Sequence, residues 1–217
     1  FQHKLEGIET TTDDWACWDA TYDFMGGENP GYIANDLYDE VFIRLNLELV
    51  VYLTLDHTLA FGKSLNLKTG KSGPLPEGIK PYLKSEGPFS LDTNPEGLAG
   101  ILSVPEGLLL LVARPILTGE GTGPPRGTLI FGRLLDDGET AELKDLLLYD
   151  VAFYRLAEAG NFSRLRPIVK QFVQGQEFVV EHPDPHKVQA FTRLNDIFNN
   201  PVLLLQVDSP AGSGLSV

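Results

Sequence analysis

DWACWDATYDF, residues 14 to 24, holds both tryptophans of a 217-residue chain, and its reading decides how the rest is arranged. Trp15, Trp18, Tyr22 and Phe24 alternate with Asp14, Asp19 and Asp23, and Asp13 stands just before them. On a helix, Trp15, Trp18, Asp19 and Tyr22 are spaced i, i+3, i+4, i+7 and share one face, which sets a carboxylate among aromatic rings. Such a face is either plain core, with Asp19 hydrogen-bonded or paired with an arginine, or the wall of a binding site. A carboxylate desolvated among rings and left unpaired costs several kcal/mol. Aromatic walls with one fixed acceptor are also how small polar or cationic ligands are held.

Upstream, Leu5, Ile8 and Thr12 continue the alternating 3,4 spacing, which predicts one helix running from the start of the chain to Gly26 and Gly27. A second, shorter helix is expected from Ala34 to Leu45. Downstream the period changes. LELVVYLTL (47–55) and LAFGKSLNL (59–67) are apolar and alternating, and Asp56 and His57 supply the turn of an antiparallel hairpin. Residues 68–97 read as a loop with anchors at Ile79, Tyr82 and Phe89. GILSVPEGLLLLVARPI (100–116) gives two strands turning at Pro105, Glu106 and Gly107, and GTLIFGRLL (127–135) gives another. LTGEGTGPPR (117–126) between them is expected to be a mobile hairpin loop.

Further along, DDGETAELKDLLL (136–148) opens as a helix with acids in its first turn, and DVAFYRL (150–156) reads as a strand. SRLRPIVKQF (163–172) reads as a helix despite Pro167, EFVVE (177–181) as a strand, PHKVQAFTRLND (185–196) as a helix and VLLLQV (202–207) as the last strand. The fold class is therefore α+β: an antiparallel sheet with a long N-terminal helix packed across it. The expectation is a single domain over 1–217, with the opening helix at 1–26 and one central sheet with its connecting helices over 46–217.

Composition removes several function classes. A formal charge of −13 and a pI near 4.6 speak against nucleic-acid binding, which depends on clustered Lys and Arg. Cys17 is the single cysteine, which excludes an intramolecular disulfide and a thiolate metal cluster. The longest apolar run, GLLLLVARPI, is interrupted by Arg114 and Pro115 and is too short for a membrane span. Phe1 is no initiator methionine, so the numbering is expected to begin inside a longer polypeptide or after processing. Phosphate loops fail: the GKS triplets at Gly62 and Gly70 have His57 and Leu65 where the motif needs glycine. His182 and His186 have an i, i+4 spacing, but Pro183 and Pro185 break any regular helix there. No G-x-S-x-G is present, and Cys17 has no evident base.

DWACWDATYDF, then Asn35, RPI at Arg114 to Ile116, GTLIFGR at Gly127 to Arg133 with its following LLD, and NDIFNNP before VLLLQV together resemble the CHASE sensor domains of the fourth class. These are extracytoplasmic sensory domains of bacterial and archaeal membrane receptors, similar to the PAS-like Cache domains. The resemblance runs in order from about Asp14 to Pro210. It implies a membrane helix on either side of the segment and a cytoplasmic output such as a histidine kinase or a diguanylate cyclase. It also implies membrane anchoring through flanking segments, a small-molecule ligand and a homodimer through the N-terminal helix, with no nucleic acid and no cofactor. The expected ligand-binding residues are Trp15, Trp18, Asp19 and Tyr22, faced by Arg114 and Arg133, either of which is in reach of Asp19. Gly132 is expected to leave room for a helix ring, and Asn199 or Asn200 to take a left-handed turn where the family has glycine. One departure is the tail: Pro210 precedes AGSGLSV, where the family continues with a proline-arginine pair. Two other readings stand beside this one. One is a carbohydrate-active hydrolase with Asp19 as one of two carboxylates; the other is a ligand-free structural module that sets dimer geometry.

Overall fold

In a computed structural model, which describes residues 2–135 and 150–210, the strands form two antiparallel sheets where the periodicity alone implied one. The chain divides into two compact units, Phe1–Leu134 and Leu135–Val217. The helix expected at 136–148 and the tail AGSGLSV lie outside the described residues. No helix among the described residues is long and apolar enough to cross a membrane.

The first unit opens with α1 (Gln2–Ala16), α2 (Asp19–Gly26), α3 (Tyr32–Asp36) and α4 (Asp39–Leu45). The single helix expected through Gly26 is thus broken at Cys17 and Trp18, and the one expected over Ala34–Leu45 is broken at Leu37 and Tyr38. Within α1, Thr10, Thr11 and Thr12 sit mid-helix although β-branched residues disfavour it. Their hydroxyls donate to the carbonyls of Glu6, Gly7 and Ile8 at 3.0, 3.0 and 2.6 Å, which satisfies them within the helix itself.

Six strands follow: β1 (Leu49–Leu53), β2 (Leu59–Asn66), β3 (Lys71–Gly73), β4 (Leu98–Val104), β5 (Gly107–Pro115) and β6 (Thr128–Leu134), in the order β3-β2-β1-β6-β5-β4. Every residue of β1 is buried, as expected of a central strand covered on both faces. Residues 68–97, read as a loop, contain the short β3 and one 3-10 turn at Lys80–Leu83.

Pleating assigns the two faces. Phe131 lies opposite Val50 and Val112 and meets Trp15 of α1 edge-on, ring centroids 5.8 Å apart. Its neighbour Gly132 therefore points away from α1. A Cβ there would come within 3.1 Å of the Leu110 carbonyl and 3.3 Å of Leu49, so this glycine makes room for strand packing and not for a helix ring. That far face is closed by the segment after β3: Leu75, Ile79, Leu83 and Phe89 are buried, and Thr128 donates to the Phe89 carbonyl at 3.2 Å.

The second unit holds β7 (Asp150–Arg155), α5 (Leu156–Ala159), α6 (Arg166–Val173), β8 (Phe178–Asp184), β9 (Lys187–Asn195) and β10 (Pro201–Pro210), with strand order β7-β10-β9-β8. Its core joins Ala159, Leu165, Ile168 and Phe172 to Val179, Phe191 and Leu204. Pro167 falls in the first turn of α6, where its missing N–H costs nothing. PHKVQAFTRLND is a strand rather than the expected helix: β9 pairs with β8 and β10 on either side. Its alternation of Val188, Ala190 and Thr192 with Gln189, Phe191 and Arg193 carries the strand period. Asn199 has φ 64° in the β9–β10 turn, the left-handed conformation expected there.

The two aromatic partners of Trp15, Phe131 and Trp18, differ in what their loss removes. Phe131 is fully buried, whereas Trp18 is 42% exposed. Phe131→Ala should cost about 3 to 5 kcal/mol in urea denaturation, and Trp18→Ala less than half as much.

Candidate functional site

The candidate site grows out of the break between α1 and α2. Trp18 is extended (φ −95°, ψ 128°) and caps α2 without a side-chain hydrogen bond. No proline or glycine causes the break; the β5–β6 loop does. Leu117 N–H donates to the Ala16 carbonyl at 3.0 Å, and Gly119 N–H donates to Asp19 Oδ1 at 2.7 Å. The Ala16 acceptor that would continue α1 is thus taken from outside, and Asp19 ties the first turn of α2 to the same loop. Tyr22 continues the attachment: its hydroxyl donates to the Pro124 carbonyl at 3.1 Å. The Arg126 guanidinium lies over its ring at 3.9 Å and donates to the Tyr22 carbonyl at 3.0 Å. The segment expected to be a mobile hairpin loop is a strap fastened to two helices.

Glu28 receives a hydrogen bond from Arg126 at 2.8 Å, and that contact holds the Glu28 carboxyl below its usual range. Beneath the strap lies an aromatic cluster. Trp15 and Trp18 meet edge-on at 5.6 Å, and Trp18 leans on Tyr32 at 6.0 Å. Phe24 stacks on Tyr32 at 4.9 Å and meets Tyr52 edge-on at 5.7 Å. The Tyr32 hydroxyl bonds Thr21 Oγ1 at 2.6 Å and the Tyr52 hydroxyl at 3.1 Å, joining α2, α3 and β1 through buried polar atoms. Burial pushes the Tyr52 hydroxyl well above the ordinary tyrosine value.

The six expected site residues do not form one wall. Trp15 packs on the sheet, Trp18 and Asp19 are exposed, and Asp19 pairs with neither arginine, its acceptor role being filled by the Gly119 amide. Arg133 faces the side-chain amide of Asn46, the left-handed residue that ends α4. Arg114 is the one that reaches α1. Its Nε donates to Asp13 and its Nη2 to Glu9 at 3.3 Å. Its Nη1 donates to the carbonyls of Leu98 and Ala113 at 3.4 and 3.2 Å.

Beside this arginine opens a cleft of about 330 Å³, lined by Asp13, Ala16 and Cys17 of α1 and its end, by Pro95 and Glu96, and by Arg114, Pro115 and Leu117. Glu96 and Pro95 form its outer lip, anchored at Gly97. There φ is +82°, and a Cβ would lie 2.0 Å from the Ala113 carbonyl, so only glycine permits that approach. The Cys17 thiol is pushed up by burial and by Asp13 and Asp14, which keeps it protonated and a weak nucleophile. A second, smaller cleft of about 200 Å³ is lined by Thr54, Leu55, His57, Ser90, Leu91, Asp92 and Thr128. Glu96, Leu117 and Arg126 escaped the sequence reading, since they lie in loops whose partners are distant in the chain. The one visible signal was that arginine at 126 closes an otherwise uncharged PP pair.

Comparison with known proteins agrees with this architecture. Residues 1–154 match the CHASE4 domain. The chain is 29% identical over 210 residues to the methanogenesis regulatory histidine kinase FilI of Methanothrix harundinacea (strain 6Ac), covering 96% of this chain and 23% of that protein. Among solved structures it is similar to the extracellular domain of a protein named as a histidine kinase, vpHK1S-Z8, with TM-score 0.57, 15% identity, and coverage of 100% of this chain and 90% of that one. It is likewise similar to a domain of a sensory box/GGDEF family protein from Vibrio parahaemolyticus, with TM-score 0.54, 13% identity, and coverage of 97% and 90%. These two likenesses carry the fold.

The buried hydroxyls give the unit a base-sensitive element. Folded Tyr52 keeps its proton at a pH where the unfolded chain loses it, so stability falls as pH rises above about 10. Tyr52→Phe should lower stability by about 1 kcal/mol near neutral pH and should flatten the further loss above about pH 10. Urea titrations on both sides of that pH check this.

Proposed function

We propose a ligand-sensing role for this chain, which belongs to the CHASE4 domain family: it is the extracytoplasmic domain of a membrane receptor, without catalysis of its own, and the cleft beside Arg114 takes a small molecule. The observation that carries this reading is the make-up of the cleft. One wall is the end of α1, with Asp13, Ala16 and Cys17, and the other is the end of β5, with Arg114, Pro115 and Leu117. A molecule between them changes how α1 sits on the sheet. Such a ligand moves the equilibrium only through its preference for one of two arrangements, and about 1 to 3 kcal/mol of preference gives roughly 5- to 150-fold coupling.

The membrane anchors, a histidine kinase or diguanylate cyclase output, and a homodimer through α1 belong to the same proposal. Gly7, Thr10 and Asp14 of α1 are exposed, which leaves that side of the helix open to a partner subunit. The chain spans 23% of the curated relative it matches. The hydrolase reading has less support: Asp19 is bound to a backbone amide and Asp13 is held by Arg114, and neither is placed as a free acid opposite a partner. A ligand-free structural module would be favoured by a cleft that nothing enters.

The test is a thermal-shift screen of this chain against amino acids, amines, carboxylates and sugars, repeated on Leu117→Trp, which fills the cleft. A compound should raise the melting temperature of the parent chain and lose that effect in the variant, with the ligand-free melting temperature nearly unchanged. A shift that survives Leu117→Trp, or no shift from any class, would overturn the assignment of this cleft.

A further inference from the structure

We infer that the cleft beside Arg114 takes an organic cation with a short apolar body, a primary amine in preference to a carboxylate. This rests on the sensory reading of the same cleft and narrows its ligand. Arg114 is the only cationic side chain in the lining. Four of its five N–H donors are committed: its Nε goes to Asp13, one Nη2–H to Glu9, and its Nη1 to the Leu98 and Ala113 carbonyls. An entering carboxylate would find a single N–H there, and to take the bidentate fork it would have to displace Asp13 or Glu9 and leave that acid unpaired beside it. Glu96, across the cleft on its outer lip, is exposed and adds a further negative charge to the lining.

Counting Glu9, Asp13 and Glu96 against Arg114, the immediate surroundings are negative, and the chain as a whole carries −13. A cleft of net negative charge concentrates cations. The remaining wall is apolar: Ala16, Pro95, Pro115 and Leu117. These offer an alkyl body contact area and no hydrogen-bond partners from their side chains. The Cys17 thiol is a weak donor and a weak acceptor and competes for neither charge. The chemistry that fits is therefore an ammonium group directed at Glu96 and the outer face of Asp13, with a hydrocarbon stem against the prolines and Leu117.

The test uses three probes of nearly equal size, n-pentylamine, pentan-1-ol and pentanoate, titrated calorimetrically into the 217-residue chain at low salt. The amine should bind, the alcohol more weakly, and the carboxylate least. Glu96→Gln should weaken the amine by about threefold, and Glu96→Lys should remove its advantage over pentanoate. Glu177→Gln, in the second unit, serves as a control for general attraction to an acidic protein and should leave amine binding unchanged. Pentanoate binding as tightly as the amine, no binding of the amine, or equal losses in Glu96→Gln and Glu177→Gln would each overturn the inference. The sensory reading is decided separately: a compound of another class whose effect is lost in Leu117→Trp keeps that reading while discarding the amine.

Discussion

Two backbone amides of the β5–β6 loop set the geometry on which the rest of the first unit depends. Leu117 takes the carbonyl of Ala16, and Gly119 takes the carboxylate of Asp19. A helix continues only while each carbonyl meets the N–H four residues on, so a donor arriving from elsewhere ends α1 there. The chain then restarts as α2, and the rings carried by the interrupted stretch are distributed differently. Trp15 stays on the sheet, Trp18 turns outward, and Phe24 reaches Tyr32 and Tyr52. An uninterrupted helix would have kept the indoles on one face with Asp19 between them.

The strands were legible because their pattern is local. β1, β2, β4, β5 and β6 follow the apolar alternation and turn residues of their own segments, and the strong apolar runs mark strands buried on both faces. The division into two sheets was not, since nothing in the period of a strand names its partner. PHKVQAFTRLND mixes residues suited to either state, and pairing on both edges decided it. The helix break was equally hidden, its cause lying about a hundred residues away in a glycine-rich loop. At the site, Arg114 was visible as a charge at a strand end, but its partners were not: Glu9 and Asp13 precede Trp15 on α1 by six and two residues and lie about a hundred residues from Arg114 in the chain.

The arginines show how an acidic chain uses its few cations. Arg114 joins α1 to the sheet and Arg126 joins the strap to α2 through the Tyr22 ring and Glu28. Both are positioned to bind parts of the protein to one another, and both sit where helix meets hairpin. In a CHASE4 domain, whose α1 is the element nearest the start of the segment, these ion pairs fasten the middle and the last turn of that helix to the end of β5. Ion pairs with partial exposure are modest in energy, which makes such a joint adjustable.

The glycine at 97 adds an asymmetry to that joint. Because its backbone touches the Ala113 carbonyl too closely for any side chain, the lip carrying Pro95 and Glu96 is welded to the end of β5 and inherits the stiffness of a six-stranded sheet. The facing wall hangs from a helix terminus. Compliance would therefore be one-sided: under the proposed role, a molecule entering there would act chiefly on the helix and little on the other side.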